Sequence, residues 1–155
     1  MKGDGTKTLA TNRKAYHDYF IEDTFEAGIV LTGTEIKSVR AGQINLRDSY
    51  ATIRDGELWL INSHIAAYRG GSYFNHDPRR DRKLLMHRRE INRLVGKVQE
   101  KGLTLIPLRV YLKNNLAKVE IGLARGKKQY DKRATLREKD SRREIERAIA
   151  RRDRE

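Results

Sequence analysis

Residues 49–68, SYATIRDGELWLINSHIAAY, give the clearest structural signal in this chain. Apolar residues alternate with polar ones on both sides of Asp55-Gly56, a pair favoured at the centre of a tight primed turn. Alternation with a period of two is typical of strands, because successive side chains point to opposite faces of a sheet. The stretch therefore predicts a β-hairpin and indicates a fold built mainly from strands.

Three other segments show the same alternation. The first is HDYFIEDTFEAGIVL (17–31), where Gly28 predicts a bulge or a tight bend. The other two are LTLIPLRVYLK (103–113) and LAKVEIGLA (116–124), which are joined by a turn at Asn114-Asn115. Together with the hairpin, they supply enough strands for a sheet with one buried face.

Two segments have helical spacing instead. In TGTEIKSVRAG (32–42) the pattern predicts one short helix, capped by Thr34. In DRKLLMHRREINRLVGKVQEKG (81–102) the apolar residues follow one helical face, with Asp81 as the predicted cap and Gly102 as the predicted end. The second segment predicts a long amphipathic helix.

The order of these elements predicts the fold class. Short antiparallel strands with glycine corners and interspersed helices suit a small closed β-barrel of the oligonucleotide-binding type, with flanking helices, over residues 15–125. An open α+β sheet is the alternative. Residues 1–14 contain few large apolar side chains, and we expect them to form a flexible basic arm.

The composition changes at residue 126. Residues 126–155 contain twelve Lys and Arg against seven Asp and Glu, and only Leu136, Ile145 and Ile149 interrupt the polar run. Such a segment buries too little apolar surface to fold alone, although its residues have high helix propensity. We expect a C-terminal tail that is disordered when free and helical when bound.

The chain is strongly basic, with a formal net charge of +13 and an isoelectric point near 10.1. This charge favours a polyanionic partner such as nucleic acid, although a basic protein that is merely soluble is an alternative. We expect no membrane partner, because no apolar run reaches the length of a membrane span. The start of the chain has no secretory signal pattern, which predicts a cytoplasmic protein.

The residues do not form a recognisable catalytic or metal site. The chain has no cysteine, and its four histidines lack the spacing of metal ligands. Asp131, Asp140 and Glu144 are acidic, but they lie in the basic tail, where a preorganised site is not expected. We therefore expect a protein without catalytic activity, metal or cofactor.

Aromatic residues interleaved with Lys and Arg favour RNA among the polyanions. Tyr19 and Tyr111 lie in strand patterns, so we expect them to pack in or near the core. Tyr73, Phe74 and Tyr130 lie in polar segments, where stacking on bases is more plausible. Structured RNA is recognised by shape, phosphates and ribose hydroxyls, with unpaired bases taken up by side chains.

Five stretches together resemble the bacterial small protein B family, whose members bind SsrA RNA, also called tmRNA. These stretches are NRKAYHDYFIEDTFEAGIVLTGTEIKSVR (12–40), INLRDSYA (44–51), NHDPRRDRKLLMHRREI (75–91), KGLTLIPL (101–108) and AKVEIGLARGKKQYDKR (117–133). The resemblance implies an oligonucleotide-binding-type barrel that grips the tRNA-like domain of tmRNA. On the residues that match, it assigns four to the tmRNA face: Glu26, Leu85, His87 and Lys118.

The resemblance also implies a second partner, the ribosome. In that family, elongation factor Tu with GTP carries the complex to a stalled ribosome, and the tail enters the vacant mRNA channel near small-subunit rRNA of the decoding centre. The residues that match the ribosome-facing segment are Gly126, Lys127, Lys128, Asp131, Lys132 and Arg133. Tyr130 is placed to stack on rRNA, and Ile145 and Ile149 are candidates for buried contacts.

Two other functions compete with a rescue adaptor. A structural ribosomal protein would use the same basic barrel and tail, and would co-purify with idle ribosomes. A nuclease would cleave tmRNA in the presence of a divalent metal.

Whether Leu85 packs in the core or faces RNA is left open by the helical pattern, which fits both.

Overall fold

The computed structural model describes residues 6–70 and 75–127, which are mainly β-strand with three helices. The strands are β1 (Thr6–Thr11), β2 (Tyr19–Ile29), β3 (Ile44–Asn45), β4 (Tyr50–Arg54), β5 (Glu57–Ile61), β6 (His64–Ile65), β7 (Arg82–Leu85), β8 (Thr104–Lys113) and β9 (Leu116–Gly126). The helices are α1 (Arg13–Asp18), α2 (Gly33–Arg40) and α3 (Arg88–Lys101). The predicted predominance of strands is confirmed.

Seven strands form one antiparallel sheet in the order β1-β8-β4-β5-β7-β2-β9. Strand β9 pairs in addition with β8, so the backbone pairings run in a cycle through β8, β4, β5, β7, β2 and β9. The link between β4 and β8 is short, at Ala51 opposite Leu105. Strand β1 pairs with β8, and β3 and β6 form a separate small sheet.

Both predicted turns are present. Arg54 pairs with Glu57 around Asp55 and Gly56, whose φ angles are 53° and 75°. The turn between β8 and β9 has φ angles of 52° at Asn114 and 65° at Asn115. Positive φ at both central residues is the conformation of the primed turn that matches the twist of paired strands.

The predicted helix over 81–102 is wrong in its first part. Strand β7 occupies Arg82–Leu85 and pairs with β5 and β2, and helix α3 begins only at Arg88. Leu84 is buried and Leu85 is exposed, which is the alternation of a strand. The predicted end of the helix is confirmed, since Gly102 has a φ of 61°.

The predicted flexible arm over residues 1–14 is also wrong for the part that the structure describes. Strand β1 pairs with β8 over Thr6–Thr11. The buried side chain of Asn12 donates to the carbonyl oxygens of Leu46 (3.3 Å) and Pro107 (2.9 Å) and accepts a bond from the N–H of Ala15 (3.2 Å). Backbone and amide hydrogen bonds therefore hold a segment that has few large apolar residues.

Two local details differ from the sequence expectations. Helix α2 is capped by Thr32, whose hydroxyl accepts from the N–H of Glu35 in a reciprocal capping box, and not by Thr34. The irregularity in β2 lies between Ile21 and Asp23, and not at Gly28. Thr32 and Thr34 are only two residues apart and are equally good caps by composition alone.

The main core lies on the inner faces of the paired strands. Its fully buried side chains include Leu58, Leu60, Leu84, Val110, Val119 and Ile121. Helix α3 packs on it through Ile91 and Leu94. A smaller cluster contains Ala15, Ile106, Leu108 and Ala124. Close packing of this kind fixes the register of the strands, because a shift by one residue would expose the apolar face.

A buried ion cluster joins α2 to β7. The side chains of Glu35 and Arg82 are fully buried, with Arg82 Nε 2.7 Å from Glu35 Oε2. Arg80 Nη2 lies 2.5 Å from Glu35 Oε1, and Arg82 also donates to the carbonyl oxygen of Ser63 (3.0 Å). Burial opposes ionisation of Glu35, but the bonds from Arg80, the N–H of Thr32 and Arg82 outweigh it and lower its pKa to about 2.

Candidate nucleic-acid interface

A cleft of about 800 Å³ lies where β2, β9 and the junction of β7 with α3 meet. All four residues that the resemblance assigns to the tmRNA face line this cleft: Glu26, Leu85, His87 and Lys118. They come from three separate parts of the sequence, at 26, at 85 and 87, and at 118, so their convergence is a property of the fold.

The strand register explains this convergence. Gly28 of β2 pairs with Leu85 of β7 on one side and with Lys118 of β9 on the other. Residues that face each other across a ladder project from the same face, and so do residues two apart on one strand. Glu26, Leu85 and Lys118 therefore share the outer face of three neighbouring strands.

Leu85 is an exposed apolar residue in this cleft. Its side chain is 51% exposed, so the structure places Leu85 on the surface and Leu84 in the core. His87 is the residue before α3, is exposed, and makes no side-chain cap bond to the helix. Both side chains are thus free to contact a ligand.

Glu26 is held in place by two neighbours from β8. The hydroxyl of Tyr111 donates to Glu26 Oε2 at 2.5 Å, and Lys113 Nζ lies 3.4 Å from the same oxygen. The bond from Tyr111, followed by the charges of Lys113 and Lys118, lowers the pKa of Glu26 below its ordinary value. The carboxylate is therefore ionised at neutral pH and can only accept hydrogen bonds.

The other cations around the cleft differ in how they are paired. Lys83 forms an ion pair with Glu57 at 3.2 Å. Within the part of the chain that the structure describes, Arg88 and Lys118 have no ion-pair partner. Two unpaired cations beside an exposed leucine give a surface that suits an anionic ligand with apolar faces, such as RNA.

The supporting role of two β8 residues, Tyr111 and Lys113, was not predicted from the sequence. The expectation that Tyr111 packs in or near the core is confirmed, because the residue is only 3% exposed, although it belongs to neither of the two apolar clusters. Lys113 received no role. Alternation along β8 puts Arg109, Tyr111 and Lys113 on one face, opposite to Val110, and that pattern was available in the sequence.

The predicted ribosome-facing residues fall only partly within the described chain. Gly126 ends β9 and pairs with Tyr19, while Lys127 Nζ donates to the carbonyl oxygen of Tyr16 (3.3 Å) and lies 5.1 Å from the ring centre of Phe20. The remaining predicted residues lie outside the described residues: Lys128, Tyr130, Asp131, Lys132, Arg133, Ile145 and Ile149, and also Tyr73 and Phe74.

Over residues 6–70 and 75–127, no three or more His, Asp or Glu side chains are grouped in a way that would hold a metal ion. None of the helices in these ranges is long and apolar enough to span a membrane.

Comparisons with known proteins agree on one family. A family model described as SmpB protein matches residues 9–151. An SsrA-binding protein of Shouchella clausii is 63% identical over 143 residues, which is 92% of this chain and 92% of that protein. An SsrA-binding protein of Desulfitobacterium hafniense is 60% identical over 147 residues, covering 95% of this chain and 94% of the relative.

A solved structure is similar as well. It is described as "tmRNA-SmpB: a journey to the center of the bacterial ribosome", has 57% sequence identity and superposes with a TM-score of 0.64. The match covers 76% of this chain and 82% of that chain.

Proposed function

This chain belongs to the SmpB family, and from that membership we propose that it binds SsrA RNA and acts with it on stalled ribosomes as a non-catalytic adaptor in the cytoplasm. The net charge of +13 supports a polyanionic partner. The relatives named SsrA-binding protein support this particular RNA, because they match over nearly the whole chain. The adaptor needs no cofactor, since its task is to bind.

The body of the protein serves this role as a small barrel of the oligonucleotide-binding type. The cycle of pairings through six strands supports closure of the sheet. A closed sheet leaves few unpaired edges and presents side chains outward from a rigid surface. An outward face is where the cleft side chains Glu26, Leu85 and Lys118 lie.

One observation carries the RNA assignment: the pairing of Gly28 with both Leu85 and Lys118 gathers the predicted tmRNA residues into one open cleft. Lys118 is suited to a phosphate group, and Leu85 to the flat face of an unpaired base. His87 can donate or accept a hydrogen bond. The tRNA-like domain of SsrA RNA is the part that we assign to this cleft.

The second half of the proposal concerns the ribosome. The solved structure described as tmRNA-SmpB at the centre of the bacterial ribosome supports that partner. We assign residues 126–155 to the vacant mRNA channel, where the segment becomes helical and contacts small-subunit rRNA at the decoding centre. Elongation factor Tu with GTP would bring the complex to the ribosome through the RNA.

Charge reversal at Lys118 tests the cleft. Lys118→Glu is expected to weaken binding of SsrA RNA and to reduce the dependence of affinity on salt by about one phosphate contact. Lys101→Glu is the matched control, because this substitution changes the net charge by the same amount. Lys101 is exposed at the end of α3 and does not line the cleft. Filter binding at several salt concentrations measures both. An equal loss of RNA affinity in the two variants would show that Lys118 does not contact the RNA.

Truncation tests the division between body and tail. Deletion of residues 128–155 leaves β9 whole, and we expect affinity for SsrA RNA to be retained while tagging of nascent chains on stalled ribosomes is lost. Loss of RNA affinity in this truncation would contradict the division. Sedimentation with idle ribosomes would reveal a structural ribosomal protein, and cleavage of SsrA RNA with divalent metal would reveal a nuclease.

A further inference from the structure

Tyr111 is a buried aromatic residue that belongs to neither of the two clusters of apolar core side chains. Its side chain is 3% exposed and lies on the outer face of β8, where its hydroxyl points to the carboxylate of Glu26 at 2.5 Å. A buried tyrosine usually finds a hydrogen-bond partner for its hydroxyl. Here the partner is a residue of the RNA cleft.

The tyrosine ring is fixed from its other side. The guanidinium of Arg109 lies 4.2 Å from the centre of the Tyr111 ring, and Arg109 Nε lies 3.4 Å from Glu120 Oε1. This ion pair and the contact between cation and ring leave Tyr111 little freedom. These contacts therefore connect the paired strands β8 and β9 to the carboxylate of Glu26 and restrict its position.

The two carboxylate oxygens of Glu26 differ in their hydrogen bonding. Oε2 accepts from Tyr111 and from Lys113, whereas Oε1 accepts no hydrogen bond from the described residues. The side chain of Glu26 is 39% exposed, so Oε1 is open to the cleft. A fixed carboxylate oxygen repels phosphate and accepts from base N–H groups or ribose hydroxyls.

We propose that Tyr111 is a positioning residue, which fixes the Glu26 carboxylate so that its free Oε1 accepts a hydrogen bond from an N–H or O–H donor of the RNA. This inference rests on the proposed function, since it deepens the chemistry of the same cleft. Lys118 attracts phosphates wherever they lie, but Glu26 accepts only a donor at one position. Tyr111 thus sets the register of the RNA without touching it.

The test is a double-mutant cycle on affinity for SsrA RNA with Tyr111→Phe, Glu26→Ala and both together. Tyr111→Phe removes only the hydroxyl and is expected to weaken binding about three- to tenfold, which is the effect of releasing one ordered side chain at an interface. In the Glu26→Ala background, the same change is expected to have no further effect. Tyr50→Phe is the matched control, because Tyr50 is exposed on β4 outside the cleft.

Three further measurements separate positioning from a general structural role. The salt dependence of binding stays unchanged in Tyr111→Phe, because no charge is removed. The pKa of the Glu26 carboxyl, followed by NMR, rises in this variant because the Tyr111 bond is the first cause of its depression. Interference mapping with 2′-deoxynucleotides and with inosine identifies the donor, since only a contact to Glu26 disappears in Glu26→Ala.

Two outcomes would overturn the inference. Wild-type affinity in Tyr111→Phe would show that the carboxylate needs no fixing. Equal weakening in the presence and absence of Glu26 would show that Tyr111 acts by another route. Failure of the proposed function is seen separately, as wild-type protein that does not prefer SsrA RNA to a control RNA of equal length.

Discussion

Gly28 provides the space in which the cleft side chains meet. It pairs with Leu85 and Lys118, and a Cβ atom built at this position would lie 3.3 Å from the Cβ of Leu85. That distance is tighter than almost all real contacts of this kind, so Leu85 would have to move. The role of Gly28 is therefore the close approach of β7 to β2, and not the bulge that the sequence indicated.

Gly28→Ala should affect RNA binding more than folding. The close contact is with the Cβ of Leu85, which rotation of the side chain does not move, so β7 itself must shift by a few tenths of an ångström. We expect a change in the free energy of unfolding of about 1 kcal/mol, together with weaker binding of SsrA RNA. Gly96→Ala in α3 is the control, because nothing lies within 4 Å of its Cβ position and alanine favours a helix. Urea denaturation and RNA titration measure the two effects. Unchanged affinity in Gly28→Ala would contradict this role for Leu85.

The four cleft residues could not be found from spacing. They lie at 26, 85, 87 and 118, and only resemblance to a family connected them before the strand register was known. The alternating pattern of β8 predicts that Tyr111 and Lys113 share one face of the strand. It does not predict which face of the sheet is covered by other residues. The bond from Tyr111 to Glu26 joins residues that are 85 positions apart, so it cannot be predicted before the strand pairings are known.

At the scale of elements, the two tight turns connect the strand pairs that were easiest to predict. Asp55-Gly56 and Asn114-Asn115 have positive φ angles, which Asn, Asp and Gly tolerate better than other residues. Each turn fixes the register of its hairpin, and the register of β8 with β9 places Tyr111 opposite Lys118. The residues of the Asn114-Asn115 turn thus help to determine which side chains meet at the cleft.

Gly56→Ala should destabilise the protein. Its φ is 75°, so a Cβ adds about 1–2 kcal/mol of strain, although no atom lies within 4 Å of that position. Gly33→Ala is the matched control, because Gly33 has equally open space around its Cβ position and its φ is not positive. Thermal denaturation of both variants measures the difference. Equal melting temperatures would show that the turn tolerates an alanine without strain.

The boundary between β7 and α3 was missed because its pattern is ambiguous. Leu84 and Leu85 fit a helical face when read with Ile91 and Leu94, and they also fit a strand with one side chain in and one out. Pairing with β5 and β2 decides in favour of the strand. Such pairing partners are distant in sequence, so no local window contains the deciding information.

For the whole molecule, the ion cluster of Glu35, Arg80 and Arg82 links α2 to β7 and the loop before it. A buried ion pair adds little net stability over apolar side chains, but losing one partner leaves an uncompensated charge. The sequence pattern predicts a helix at Glu35 and another at Arg82, and no contact between them. Their contact required the position of β7, which the sequence did not reveal.

Stability should fall in acid as Glu35 is protonated. Its pKa is lowered from 4.5 to about 2 in the folded protein, so its contribution is complete above pH 4.5 and is lost as the pH falls towards 2. The shift corresponds to about 3 kcal/mol in the free energy of unfolding. Urea denaturation of wild type and Glu35→Gln between pH 6 and pH 2.5 tests this. The difference between them should shrink on acidification, and a constant difference would contradict the assignment.

The ladder between β2 and β9 also acts as a spacer. Tyr19 pairs with Gly126 at one end and Gly28 pairs with Lys118 at the other, an interval of about 25 Å at the usual rise of a strand. The cleft proposed to bind RNA and Gly126, where β9 ends, therefore lie at opposite ends of this ladder. An insertion that lengthened the β2–β9 ladder would leave the residues at each end unchanged. It would, however, alter the distance between the cleft and Gly126.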